Sequence, residues 1–167
     1  LVGSEMCIRD RNKKIIVGPN KLTGEWGQNP IPGPMDDYEK NVKRHCGRIG
    51  AIEVFLSGPG LENYYRYKTN SKKTSKEIVT LFNENNSHAL EVMDMYFERI
   101  ARSFSTFVNI LDPDIIVCGG GMSEIDNIYH EIPKRIIPYI ASNFFLTPIV
   151  KAKHGSSSGV RGAAHLW

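Results

Sequence analysis

The sequence is poor in cysteine, nearly balanced in charge, and without a long apolar run. Its three cysteines, Cys7, Cys46 and Cys118, are far apart in the chain and show no paired spacing. Sparse and unpaired cysteines are typical of a reduced, cytoplasmic protein rather than of a disulfide-rich secreted one. No apolar run reaches the length needed to cross a bilayer, and no cleavable signal pattern opens the chain. We therefore expect a cytoplasmic protein with no membrane partner.

The charge balance argues against nucleic acid as the main partner. The 21 Lys and Arg residues outnumber the 18 Asp and Glu residues only slightly, which gives a formal net charge of +3. The basic residues are scattered and form no stripe along one face, as a nucleic-acid footprint requires. With 167 residues, the chain has the length of one ordinary domain that buries its own core.

The first eleven residues, LVGSEMCIRDR, differ from the rest of the chain. They have neither hydrophobic periodicity nor turn chemistry, and they resemble adaptor sequence translated at the end of an assembled sequence. We expect residues 1–11 to be a non-native leader, and residues 12–167 to be the native part. This boundary also predicts that native sequence is missing upstream of Asn12.

The patterns after this leader alternate between strand and helix. The β-branched run KKIIV predicts a strand, and residues 18–37 form a long loop with four prolines. Residues 51–67 have helical spacing, which we expect Gly58-Pro59-Gly60 to break. Thr74 and Glu77 have the spacing of a capping box and predict the start of the next helix.

A longer helix follows, because apolar residues recur at spacings of three and four. These residues are Leu90, Met93, Phe97, Ile100, Phe104, Phe107 and Leu111. We interpret this stripe as core packing, and we expect Asp112 and Pro113 to end the helix. The run IIVCGGG then predicts a strand buried on both faces with parallel neighbours, and TPIVKAK predicts another strand. The predicted fold class is α/β.

The three consecutive glycines Gly119, Gly120 and Gly121 are a candidate ligand site. They follow a predicted buried strand and precede a helix, which is where α/β sheets bind ligands. Without a Cβ atom, the backbone can approach a phosphate or a nucleoside closely. A tight turn that packs a helix on the sheet explains the glycines equally well. A P-loop is excluded, because no Lys-Ser or Lys-Thr pair follows them.

The segment KLTGEWGQNP places Glu25 beside the bulky Trp26 in a turn-rich loop. In one interpretation this is a binding loop, in which Trp26 anchors the backbone and Glu25 faces a ligand with hydroxyl groups. In the other, Trp26 fills the edge of the core and Glu25 is merely solvated. The residues alone leave both open.

Four stretches together carry a family resemblance: GEWGQNP, CGRIGAIEVFLSGPG, NILDPDIIVCGGGMS and AKHGSSSGVRGAAHLW. From about Asn12 to Trp167 the chain resembles the carboxyl-terminal half of a ROK-family sugar kinase, most closely the fructokinase and mannokinase branch. The resemblance implies an actin-like, ribonuclease H-like ATPase fold. It also implies transfer of the γ-phosphoryl group of ATP, with Mg²⁺, to a hexose, in a protein that forms a homodimer at full length.

The resemblance also implies roles for individual residues. Glu25 and Glu53 occupy positions at which the family accepts hydrogen bonds from sugar hydroxyls, and Gln28 occupies the position of a histidine that touches the sugar. Charge-assisted hydrogen bonds from two loops can hold a polyol firmly. Gly119, Gly120 and Gly121 would approach the nucleotide.

Two departures from the family pattern stand out. Many members bind zinc through a histidine and three cysteines, but here these places hold Gln28, Arg44, Cys46 and Ala51. One ligand of four remains, so we expect no zinc, although His45 beside Cys46 leaves a rearranged site open.

The second departure is the absence of the family's catalytic Asp and of its first phosphate loop. We therefore expect no catalytic residue in this chain, which alone would be inactive. The ROK family also includes sugar-responsive transcriptional repressors, so a repressor effector domain remains the alternative.

Overall fold

The computed structural model describes residues 10–11, 14–15, 18–20, 22, 24–44 and 47–154. The helices are α1 (Ile52–Leu56), α2 (Gly58–Thr69), α3 (Ser75–Asn83), α4 (Ser87–Leu111) and α5 (Ile128–Arg135). Short 3₁₀ turns occupy Trp26–Gln28, Gly121–Glu124 and Ile137–Tyr139. The SSSGVRG segment, part of the fourth stretch that carries the family resemblance, lies outside the described residues.

Two pairs of short strands complete the described architecture. β1 (Asp10–Arg11) pairs antiparallel with β2 (Lys14–Ile15), so the predicted strand at KKIIV is seen in part. β3 (Ile116–Cys118) pairs parallel with β4 (Ile149–Lys151), as the two apolar runs predict. The mixed α/β class is confirmed.

The prediction that β3 is buried on both faces is wrong for the described structure. Ile116 and Cys118 are buried, whereas Val117 between them is 41% exposed and the preceding Ile115 is 51% exposed. Successive side chains point to opposite faces of a strand, so one face of β3 packs on the core and the other does not. The apolar run alone could not show which face is covered.

The break after α1 lies one residue earlier than predicted. Ser57 separates the two helices, and its hydroxyl accepts a hydrogen bond from the Gly60 backbone N–H at 3.2 Å. Pro59 lies in the first turn of α2, where a missing N–H costs no intrahelical bond. Gly60 permits a close approach of α1, because a Cβ atom there would lie 2.2 Å from the Val54 carbonyl oxygen. Gly58 and Gly60 therefore belong to the first turn of α2 and do not separate the two helices.

Helix α3 begins as predicted, with a complete capping box. Thr74 N–H donates to Glu77 at 2.8 Å, and Glu77 N–H donates to the Thr74 hydroxyl at 3.3 Å. These reciprocal bonds satisfy two backbone donors at the start of the helix.

Helix α4 is the centre of the core. Met93, Phe97, Ile100, Phe104 and Phe107 are buried as predicted, and Asp112 ends the helix in a left-handed conformation. Leu90 and Leu111, which were expected in the same stripe, are 38% and 50% exposed. Leu111 is the last residue of the helix, whereas Leu90 lies beside the buried face, which at this end consists of Ala89, Val92 and Met93. No helix in the described ranges is both long and apolar enough to span a membrane.

Candidate functional site

Trp26 fixes the glycine-rich loop to helix α4. Its indole Nε1 donates a hydrogen bond to the Thr106 hydroxyl at 2.8 Å. Its ring packs edge-on against Phe104 and Phe107, at centroid distances of 5.9 and 5.3 Å. Because an aromatic side chain buried in this way has few alternative positions, the backbone next to it is held in place. Trp26 thus both anchors the loop and fills the edge of the core, which either interpretation of the loop allows.

A short backbone bridge then carries this loop to the start of α1. Pro30 and Ala51 form an isolated antiparallel β-bridge. Ile31 N–H donates to the Gly50 carbonyl at 2.7 Å, and Ile52 N–H donates to the Asn29 carbonyl at 2.9 Å. Gln28 and Glu53 are thus brought together, although 25 positions separate them in the sequence.

Glu53 is held through both of its carboxylate oxygens. Gln28 Nε2 donates to Glu53 Oε2 at 2.9 Å, and Arg44 Nη2 lies 2.7 Å from Glu53 Oε1. Gly27 lies against the same side chain, since a Cβ atom at Gly27 would be 3.3 Å from the Glu53 Cβ. The Glu53 side chain is still 38% exposed, so the carboxylate remains accessible. We call Gln28, Arg44 and Glu53 the open cluster.

An open cleft of about 750 Å³ adjoins this cluster. Its described lining residues are Leu22, Gly24, Glu25, Trp26, Gln28, Asn29 and Arg48. Two of the three predicted substrate residues, Glu25 and Gln28, therefore line the same cleft. Glu53 is not among the lining residues and is joined to the cleft through its hydrogen bond with Gln28. The volume and the polar groups suit a small polyhydroxylated ligand.

A second group of charged residues fastens residues 32–39 to helix α4. Glu39 Oε1 accepts from Arg99 Nε at 2.7 Å and from Arg102 Nη2 at 2.5 Å. Arg99 Nη2 also donates to Asp36 at 3.1 Å, and Arg102 Nη1 donates to the Pro34 carbonyl at 3.0 Å. We call Asp36, Glu39, Arg99 and Arg102 the sealed cluster.

Three members of the sealed cluster are removed from solvent and lie among aromatic rings, whereas the Asp36 side chain at its edge is 36% exposed. Glu39, Arg99 and Arg102 are 0%, 1% and 5% exposed. The Arg99 guanidinium lies 4.0 Å from the centre of the Tyr64 ring. Burial raises the pKa of Tyr64 above its ordinary value, although the Arg99 charge acts in the opposite direction. The phenol therefore stays neutral, and its ring faces the cation as a π surface.

The predicted glycine site lies at the carboxyl end of β3. Gly120 has φ +83°, a conformation that favours glycine, and it precedes the 3₁₀ turn Gly121–Glu124. A Cβ atom at Gly119 would meet only Ala152 at 3.8 Å, and one at Gly121 would have nothing within 4 Å. Only Gly120 is therefore required by the described backbone itself. The space beside Gly121 is open to a ligand.

Neighbouring side chains hold the turn that follows these glycines. The Tyr129 hydroxyl donates to the Ser123 carbonyl at 2.6 Å, and burial raises the pKa of Tyr129 to about 12. Lys151 of β4 lies 2.6 Å from Glu124. These contacts connect α5 and β4 to the glycine turn.

Three of the four residues at the family's zinc positions, Gln28, Arg44 and Ala51, do not fit zinc here. Gln28 and Arg44 are both engaged with Glu53, and Ala51 is buried and without a ligand atom. A guanidinium has no lone pair for a metal. Within the described ranges, no three His, Cys, Asp or Glu side chains are grouped to hold a metal ion. His45 and Cys46, the possible rearranged ligands, lie outside the described residues.

The sequence did not predict that Arg44 contacts Glu53, nor that Glu39, Arg99 and Arg102 form a buried group. A usable signal existed for the two helical arginines. Arg99 and Arg102 lie among the buried residues of α4, where a charged residue requires a partner.

Comparison with known proteins agrees with this arrangement. A sequence model of the ROK family matches residues 10–167. The chain belongs to the ROK family. An N-acetyl-D-glucosamine kinase of Vibrio atlanticus is 38% identical over 157 residues, which are 92% of this ROK chain and 52% of that kinase. The chain thus spans about half the length of the curated relatives it matches.

Solved structures support the ROK fold. A ROK family glucokinase from Streptomyces griseus, in complex with glucose and AMPPNP, matches with a TM-score of 0.77 at 18% identity. The match covers 92% of this chain and 54% of that one. A ROK family transcriptional regulator, a homolog of the E. coli MLC protein, matches with a TM-score of 0.64 at 16% identity. That match covers 84% of this chain and 37% of the regulator. The actin-like, ribonuclease H-like fold of this family is therefore the fold of the chain.

Proposed function

We propose that the full-length protein phosphorylates a hexose with ATP, and that the cleft beside the open cluster holds the sugar. The observation that carries this proposal is a cleft lined by Glu25 and Gln28, in which Gln28 is hydrogen-bonded to Glu53. Relatives at 36–38% identity are N-acetyl-D-glucosamine kinases. This makes N-acetyl-D-glucosamine the first substrate to test, ahead of the fructose and mannose that the sequence resemblance suggests.

Each proposed substrate residue has a distinct task. Glu25 would accept hydrogen bonds from sugar hydroxyls at the cleft wall, and Glu53 would accept them with its exposed part. Gln28 would line the cleft beside them, and its amide nitrogen already donates a hydrogen bond to Glu53. Carboxylates that accept hydroxyl protons form charge-assisted bonds, which are stronger than neutral ones.

The nucleotide would lie at Gly119, Gly120 and Gly121, where β3 ends. The space beside Gly121 and the left-handed Gly120 support a close approach of ATP to the backbone. Mg²⁺ would arrive with the phosphates, and no described residue is assigned to it. Zinc has no part in this proposal, because three of the four residues at its positions do not fit it.

No residue of this chain is proposed as the catalytic base. Glu53 is held by Arg44 and Gln28, so its role here is to accept hydrogen bonds from a bound ligand. The base would come from sequence that this chain does not contain, and the isolated chain would then be inactive. Formation of a homodimer by the full-length protein remains a prediction from the family resemblance.

A sugar-responsive repressor is the second candidate function. The likeness of the chain to a ROK transcriptional regulator shows that the fold is compatible with it. Two observations favour the kinase: the named relatives above 30% identity are kinases, and the glycine turn is present.

Steady-state kinetics with the full-length protein test the proposal. Release of ADP should depend on the added sugar, in a panel of N-acetyl-D-glucosamine, glucose, mannose and fructose. Sugar binding without any ADP release, together with specific binding to DNA, would favour the repressor instead.

The variant Gly121→Ala tests the nucleotide site within the same assay. The added methyl group has room in the chain itself, so we expect a raised KM for ATP with an unchanged melting temperature. Gly120→Val is a poorer probe, since φ +83° strains any branched residue there. A KM for ATP equal to that of the parent would remove Gly121 from the nucleotide site.

A further inference from the structure

We propose that Arg44 is a positioning residue for the sugar, acting through Glu53. This inference rests on the proposed function, because it takes Glu53 to be a sugar ligand. Arg44 Nη2 lies 2.7 Å from Glu53 Oε1, while Gln28 Nε2 occupies Oε2 at 2.9 Å. Two different donors thus fix the two oxygens of one carboxylate.

Fixing both oxygens determines where the carboxylate can accept further hydrogen bonds. An ionised carboxylate has about four lone-pair sites, of which Arg44 and Gln28 use two here. The remaining sites have fixed directions, because the carboxylate cannot rotate without breaking one of the two bonds. A ligand hydroxyl therefore meets an acceptor that is already oriented, which lowers the ordering cost of binding.

The burial of the two partners supports this assignment. The Arg44 side chain is 16% exposed and that of Glu53 is 38% exposed, so the arginine is the more enclosed member. The buried Arg44 Nε has no hydrogen-bond partner within the described structure. A buried N–H without a partner is unfavourable. Arg44 therefore bears the cost of one unsatisfied donor while its Nη2 pairs with Glu53.

Backbone hydrogen bonds tie Arg44 to residues 47 and 48. Arg44 N–H donates to the Arg48 carbonyl at 2.7 Å, and Gly47 N–H donates to the Arg44 carbonyl at 2.9 Å. Lys43 and Ile49, the residues on either side of the Arg44–Arg48 pair, form an antiparallel bridge. Arg48 lines the cleft, so the backbone that presents Arg44 to Glu53 is bonded directly to a residue of the cleft.

A double-mutant cycle on the full-length protein tests the inference. The variants are Arg44→Met, Glu53→Gln and the double variant, and the readouts are the Kd for sugar, the KM for ATP and the melting temperature. Arg44→Met should weaken sugar binding about tenfold, as expected for residues coupled by direct contact, with an unchanged KM for ATP. In the Glu53→Gln background the same change should have almost no further effect, since Arg44 acts only through that carboxylate.

Arg135→Met is the matched control. This variant also loses a 2.6 Å arginine–carboxylate pair, with Asp94, together with a 3.1 Å pair with Glu131. The Arg135 side chain is 26% exposed, and it lies on α5. Sugar affinity should stay at the parental value in this variant. Arg44→Lys keeps the charge but not the fork of donors, so its affinity should lie between those of the parent and Arg44→Met. If Arg44→Met does not fold, the cycle is run with Arg44→Lys.

Two failures can be told apart. If Glu53→Gln binds sugar like the parent, the proposed role of Glu53 is wrong. If Glu53→Gln is weakened but the Arg44 variant is not, or if the two effects simply add, the positioning role is wrong and the proposed function stands.

Discussion

The open and sealed clusters use the same chemistry in opposite surroundings. In each, a glutamate accepts from arginine at 2.5–2.7 Å. Glu39 is fully buried, and its negative charge forms ion pairs with two arginines of helix α4. Glu53 is 38% exposed, forms an ion pair with Arg44, and accepts a hydrogen bond from the side-chain amide of Gln28.

This difference separates a structural role from a binding role. The sealed carboxylate can meet no ligand, so its two arginines serve to hold residues 32–39 against α4. The Glu53 carboxylate is partly exposed and has unused acceptor sites, while Arg44 and Gln28 fix its orientation. The difference in burial between Glu39 and Glu53 therefore assigns Glu39 to stability and leaves Glu53 available for the proposed sugar site.

The largest expected effect is on the sealed cluster. Glu39→Gln leaves the buried Arg99 and Arg102 without their shared anionic partner, and breaking such a pair costs about 3–5 kcal/mol. Urea unfolding of the full-length protein should show this loss. Asp37→Asn is the control, because the Asp37 side chain is 90% exposed and its pair with Lys40 lies on the surface. A Glu39→Gln variant as stable as this control would remove the structural role of the sealed cluster.

A smaller effect on stability is expected in the open cluster. Glu53→Gln also removes a carboxylate from an arginine, but solvent reaches this pair, so the loss should be only about 1 kcal/mol. The same unfolding experiment measures it. A loss equal to that of Glu39→Gln would mean that the two clusters do not differ in role, and the comparison between them would fail.

Local patterns predicted the helices well. The capping box at Thr74 and Glu77 and the stop at Asp112 depend on neighbouring residues, and both are observed. The stripe of α4 was predicted in its middle but not at Leu90 and Leu111, because periodicity shows a helix face and not how far other elements cover it. The exposed face of β3 was missed for the same reason.

The open cluster could be predicted only in part. The family resemblance named Gln28 and Glu53, but their hydrogen bond depends on the bridge between Pro30 and Ala51. The contact of Arg44 with Glu53 depends on the backbone hydrogen bonds that join Arg44 to Gly47 and Arg48. Such contacts join distant parts of the chain, and neither periodicity nor local turn chemistry specifies them.

The affinity of the full-length Glu25→Gln variant for sugar, measured by calorimetry without nucleotide, tests the central claim most directly. Glu25 lines the cleft, and the change removes its charge while keeping its volume. Loss of a hydrogen bond to a charged group costs about 1.5–3 kcal/mol, so we expect affinity about one to two orders of magnitude lower. The melting temperature and the KM for ATP should stay near those of the parent. A Glu25→Gln variant that binds sugar as tightly as the parent would contradict the claim, and the loop would then be only a scaffold anchored by Trp26.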